Sequence, residues 1–293
     1  MTDHVTPDPN DEHGSVYDGL LGTDTSQWAF GTDFEDPLAG VDTTVPEGID
    51  ATALAAYCLA LGDDALVMSH RLSEWCSRAP DLEDDIALSN IALDLLGQAR
   101  LLLARAAAAD PTVVPALPDG SPVPVEDALA FFREALDFRN VRLVEVENGD
   151  FAHTVARLLL FSTVRLAAFE RLAGHQDPVL AAIAAKGVKE LTYHRDYAGR
   201  WFLTLAQGTE ESRRRLLAGL TQVWPLYDEL RSAYSVDDTV GAEADVVLDQ
   251  VFAVSGAERP EVGPMSGRGH TEALSRMLAE MQVVARAHPK GLW

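Results

Sequence analysis

Carboxylates and histidines three or four residues apart on a helix are where metal chemistry would first show. A dinuclear iron centre in a helical bundle takes one Glu from each of two helices and Glu-x-x-His from each of the other two. The spacing works because three residues turn a helix by about 300° and set the imidazole beside the carboxylate. Of the eight histidines, only His153 follows an acid at that distance, Asp150. That aspartate stands where a helix N-cap is expected. Asp94 is followed three residues on by Gly97, and Glu190 by Tyr193, with the histidine one place later at His194. The stretch 151–173 holds no Asp or Glu before Glu170. Two irons would be left short of charge and of ligands by this set. No metal ligand, catalytic residue or cofactor-binding residue is therefore expected in the chain.

The polar residues that remain need another account. Lys186, Glu190 and His194 follow one another at four-residue spacing, so neighbours are about 40° apart on a helix. If that face points inward, the carboxylate must be neutralised by Lys186 or by protonated His194. If it points outward, Lys186 and Glu190 form an ordinary i, i+4 pair worth a few tenths of a kcal/mol. Both readings stand, and the same choice applies to His70 and Arg71. Arg213, Arg214 and Arg215 read as a solvated helix face. Cys58 and Cys76 lie 18 residues apart, about 27 Å along one helix, too far for a disulfide; both read as buried thiols. A glycine-rich phosphate loop, a G-x-S-x-G elbow and a paired-cysteine motif are all missing from the sequence.

The elements that must position these residues read as helices throughout. Asp50 caps a stretch to residue 78, stopped at Ala79-Pro80. Asp81 caps a second, to about Ala109, with Glu83, Asp84 and Asp85 in its first turn where acid suits the helix dipole. A proline-rich connection, 111–124, leads to a helix over 125–145. Asp150 caps 151–173, which Gly174 closes. Asp177-Pro178 opens a helix to Ala206. Thr209 starts another, to Tyr234, kinked at Pro225. A short helix follows at 242–254, and a last one runs from Thr271 to His288. There Leu274, Met277, Leu278, Met281 and Val284 make a core stripe. No segment alternates like a strand. The four long helices pair as two hairpins joined by the 110–149 connection, the plan of a four-helix bundle with a crossover and further helices at its C-terminal end.

Charge narrows the function classes. The formal net charge is −23. Residues 1–50 hold 12 acids and no Lys or Arg, and the first basic residue is Arg71. A chain this acidic is a poor partner for nucleic acid or an anionic membrane surface. No uninterrupted apolar run of about 18 residues is read, so no membrane span is expected. The N-terminus lacks a basic start followed by an apolar segment, which makes the cytoplasm the expected location. Residues 1–48, rich in Asp, Thr, Gly and Pro, read as a disordered acidic extension, with Trp28, Phe30 and Phe34 as scattered aromatics. Residues 49–293 read as the helical domain.

Four stretches carry a resemblance: RLSEWCSRAPDLEDDIALSNIALDLLGQAR (71–100), LVEVENGDFAHTVAR (143–157), KGVKELTYHRDYAGRW (186–201) and HTEALSRMLAEMQ (270–282). They resemble the phenylacetyl-CoA epoxidase family in its C subunit, in order, over about residues 51–293. The resemblance implies a ferritin-like, all-α subunit of a multicomponent oxygenase. A sister subunit would hold the di-iron centre and epoxidise the ring of phenylacetyl-CoA. A reductase would feed it electrons from NADPH. This chain would pair with the catalytic subunit and the other subunits as a structural member. Asp94, Glu190, His194 and Lys186 would then be relics of a lost metal site. The competing expectation is a di-iron oxygenase or ferroxidase with an atypical ligand set.

Overall fold

The structure is a computed structural model and describes Leu38 and residues 40–267 and 269–291. The expectations for the acidic extension and for Trp28, Phe30 and Phe34 lie outside the described residues. Gly40–Trp293 forms one compact unit. Among the described residues it is all helical: α1 (Ala51–Ser73), α2 (Leu82–Ala109), α3 (Val125–Phe131), α4 (Arg142–Glu145), α5 (Phe151–Leu172), α6 (Pro178–Gln207), α7 (Glu210–Val223), α8 (Tyr227–Ala233), α9 (Asp238–Ser255) and α10 (Glu272–Ala287). Helices α1 and α2 form one antiparallel hairpin and α5 and α6 another, and α2 meets α6 across the bundle. Helices α7, α8 and α9 pack over α5, while α4 lies on α1. This is the all-α, ferritin-like bundle with added C-terminal helices that the sequence predicts.

The long helices start where side-chain acceptors are available. Asp50, Asp81, Asp150 and Asp177 each accept a backbone N–H of the first turn of α1, α2, α5 and α6, and Thr209 does so for α7. Several boundaries differ from expectation. Helix α1 ends at Ser73, not 78; the chain turns through Ser77 at φ 64°, a left-handed conformation held by the Ser77 N–H donating to Asp85 Oδ1 at 2.9 Å. Gly174 follows α5 without adopting a left-handed φ. The single helix expected over 125–145 is broken into α3, a 3-10 turn at Ala135–Asp137 and α4. The cause lies in α1: buried Asp63 and Asp64 accept the backbone N–H groups of Arg139 and Val141, at 2.9 and 2.8 Å, which a continuous helix would keep for itself. Pro225 breaks the 209–234 stretch instead of kinking it. Helix α9 starts earlier than 242, capped by Asp237, and ends at Gly256 with φ 66°. In α10, Leu274, Met277 and Leu278 are buried, but Val284 is exposed and Gln282 takes an inward place, donating to the carbonyls of Ala130 and Arg133.

Two further expectations are corrected. Cys58 is buried, but Cys76 is exposed on the turn after α1. By length and composition α1, α2 and α5 are apolar enough to cross a membrane. One or two charges interrupt each apolar run, so none stands out as continuous in the sequence. In the fold the most apolar 18-residue window of α5 is 94% buried within the protein.

Candidate functional site

Helix α5 is the most enclosed element, yet it carries two arginines, Arg157 and Arg165, with no exposed surface. A guanidinium cannot shed its proton at neutral pH, so it must find acceptors in the core. Arg165 does so on three other segments. Its Nε donates to Gln98 Oε1 of α2 at 3.1 Å. Its Nη1 donates to the Leu61 carbonyl of α1 at 3.1 Å and to the Tyr234 hydroxyl, just after α8, at 2.5 Å. The Phe169 ring lies 4.4 Å from the guanidinium carbon, a cation–π contact in a dry site. Gly187 of α6 makes room for that ring: a Cβ there would fall 2.6 Å from Phe169 Cδ1.

The network continues to both sides. Gln98 Nε2 donates to Glu190 Oε2 of α6 at 2.9 Å, and Lys186 pairs with the other Glu190 oxygen. On the opposite side the Tyr234 hydroxyl faces Asp64 of α1, a buried carboxyl that accepts the Val141 N–H. Burial pushes the Asp64 carboxyl up to about 7, against the opposing pull of the Val141 N–H and the Arg165 charge. One turn along, His194 Nε2 lies 3.0 Å from Asp94 Oδ2; the imidazole is buried and among the described residues its Nδ1 has no partner. The charge sequence Asp64, Arg165, Glu190, Lys186 thus crosses the bundle from α1 to the α6 rim, joined by the neutral Tyr234 and Gln98.

The four residues singled out from sequence are brought to one seam between α2 and α6, but in pairs: Lys186 with Glu190, and His194 with Asp94. Glu190 keeps 14% side-chain exposure and Lys186 35%. The pair therefore lies at the rim, with the carboxylate turned inward toward Gln98 and the ammonium half in water. Asp150 caps α5 and lies apart from this seam; His153 Nδ1–H donates to the Asn148 carbonyl at 2.9 Å. Arg71 is buried and donates to the Glu145 carbonyl, while His70 is half-buried. In the Arg213–Arg215 cluster, Arg214 and Arg215 clamp Glu211 on the exposed face of α7, whereas Arg213 ties α7 to the carbonyls of Ala206, Ser255 and Gly256.

Sequence reasoning missed Asp64, Gln98, Arg165 and Tyr234. A signal was present: a few charges inside otherwise apolar helices, Asp63-Asp64 in α1 and Arg157 and Arg165 in α5, which burial must pair. Iron ligation draws attention to acids on α5, whereas the residue that matters there is a base.

This donor set does not fit a pair of iron ions. Among the described residues no three His, Cys, Asp or Glu side chains gather as a metal-holding group. On α5, where a dinuclear centre would need a carboxylate, the buried side chain bonded to α1 and α2 is the Arg165 guanidinium, which repels a cation and already engages the amide and hydroxyl oxygens around it.

Fold and site together define a ferritin-like four-helix bundle cross-braced through its centre by an arginine. The chain belongs to the phenylacetic acid catabolic protein family, whose model matches residues 41–293. It is 39% identical over 258 residues to the Escherichia coli K12 protein named as the C subunit of 1,2-phenylacetyl-CoA epoxidase, covering 82% of this chain and 99% of that relative.

Proposed function

We propose that this chain is a structural subunit of a phenylacetyl-CoA epoxidase: a helical bundle that pairs with a di-iron catalytic subunit and does not itself activate oxygen. The reading rests on one observation above the rest. The centre of the bundle holds Arg165, bonded to α1, α2 and the segment after α8, where a dinuclear site needs anionic oxygen. A braced core of this kind keeps four helices in register without a metal, which suits a part whose role is to hold another. The similarity to one component of an epoxidase supports the assignment of pathway and complex. In this reading the iron belongs to the catalytic subunit, the electrons come from NADPH through a reductase, and the assembly works in the cytoplasm.

The test is iron content and turnover. Purified alone after reconstitution with ferrous iron and gel filtration, the chain should retain far less than one iron per molecule and consume no oxygen with phenylacetyl-CoA. Mixed with the catalytic subunit and reductase, it should be needed for full epoxidation. Two tightly held irons per chain would instead establish the oxygenase or ferroxidase with an atypical ligand set.

A further inference from the structure

Among the described residues one side of the bundle stays open. Helix α2 exposes Leu82 (68%), Ile86, Leu93 (64%) and Leu96. At 100° per residue these four fall within about 45° of their mean direction, so they form a single stripe. Tyr193 of α6, also exposed, stands beside it across the α2–α6 seam. At Gly97, in the same region, an added Cβ would meet nothing within 4 Å. Helix α5, in contrast, is covered by α7, α8 and α9, and the C-terminal part of α2 by α3, where Glu126 pairs with Arg100.

The dimensions and the charge say what fits. From Leu82 to Leu96 the stripe runs about 21 Å, and two helices side by side make it roughly 20 Å wide, an area of about 420 Å². That is about half of the ~800 Å² per partner of a stable protein interface, enough for the apolar centre of one. The matching object is another two-helix face. Asp81, Glu83 and Asp85 crowd one end of the stripe, and among the described residues none of them is in an ion pair. A second copy of a chain carrying −23 would bring its own excess of acid against it, whereas lysines or arginines opposite would match it.

We propose that the outer face of α2, with Tyr193, is the surface on which the epoxidase's catalytic bundle docks, through an apolar two-helix face with basic side chains opposite Asp81, Glu83 and Asp85. The proposal rests on the structural-subunit reading, and its test separates the two. The full chain is co-expressed with the catalytic subunit, and complex formation is measured by light scattering after size exclusion and by titration. Leu93→Arg and, separately, Leu82→Arg should weaken the complex by at least about a hundredfold, because each buries an unpaired charge at the interface. Both side chains are exposed in the isolated chain, so its unfolding midpoint should not move. Leu136→Arg, at an exposed leucine between α3 and α4, should leave the complex intact. Failure of the unaltered chain to bind the catalytic subunit overturns the subunit reading and the docking face with it. Full-strength binding by both arginine variants overturns the docking face alone. A self-dimer that Leu93→Arg dissolves while the mixed complex survives assigns the face to a second copy and overturns the proposal equally.

Discussion

Glu190 shows how a residue can be neither of the two things its spacing suggests. Its carboxylate accepts the Gln98 amide inside the seam and the Lys186 ammonium at the rim. Glu190→Ala leaves Gln98 Nε2 without its acceptor, but Lys186, half exposed, turns to water. The expected loss is about 1–2 kcal/mol in denaturant unfolding, well below the cost of stranding a buried charge. Asp64 is the more sensitive reporter. Its folded value, raised by burial to about 7, lies above the ordinary carboxylate range near 4. The folded state therefore binds more protons than the unfolded state between these values. Stability present at pH 4 is lost as pH rises toward 7, with a slope of at most about 1.4 kcal/mol per unit, and is level above. Asp64→Asn, which resembles the protonated carboxyl, should flatten that slope. Urea titrations of both proteins at pH 5 and pH 8 measure it, and parallel pH dependence would contradict the assignment to Asp64.

At the scale of elements, the approach of α5 to α6 depends on a glycine. The Phe169 ring fills the space over Gly187 and lies against the Arg165 guanidinium. Gly187→Ala places a methyl within contact distance of that ring and must push it aside. Helix propensity alone favours alanine by about 1 kcal/mol, so the sign of the result is informative. Overpacking of this degree costs about 1–3 kcal/mol, and a net loss of stability is expected in denaturant unfolding. Phe169→Leu in the same background should recover part of it, because a leucine can turn away. The break between α3 and α4 is likewise an effect of packing: Arg139 and Val141 give their N–H groups to carboxylates on α1, so local propensity does not decide that segment.

For the whole molecule, the boundary of the folded unit matters most. The compact unit begins at Gly40 and the family match at 41. Arg105 of α2 donates to the carbonyl of Thr43 at 2.6 Å and is paired with Asp177, the buried cap of α6. Removing residues 1–39 should leave the unfolding midpoint and complex formation unchanged. Removing 1–48 strips the carbonyl acceptors from a buried arginine and should lower the midpoint by several degrees, on the order of 1–3 kcal/mol. Thermal scans of the two truncations read this directly.

What the sequence determined by itself was the four long helices and their pairing as hairpins, because apolar spacing and aspartate caps act within a turn or two of the chain and the connections at 74–81 and 173–177 are short. Asp50, Asp81, Asp150 and Asp177 were legible for that reason. The lack of Glu-x-x-His was legible too, since it is a local pattern visible in one dimension. The tertiary structure alone decided what the buried polar side chains pair with. Arg165, Gln98, Tyr234 and Asp64 lie on separate segments between residues 64 and 234, and no spacing connects them. They meet because the low-dielectric core requires every buried charge to find a partner, and only the folded chain shows which partner is within reach.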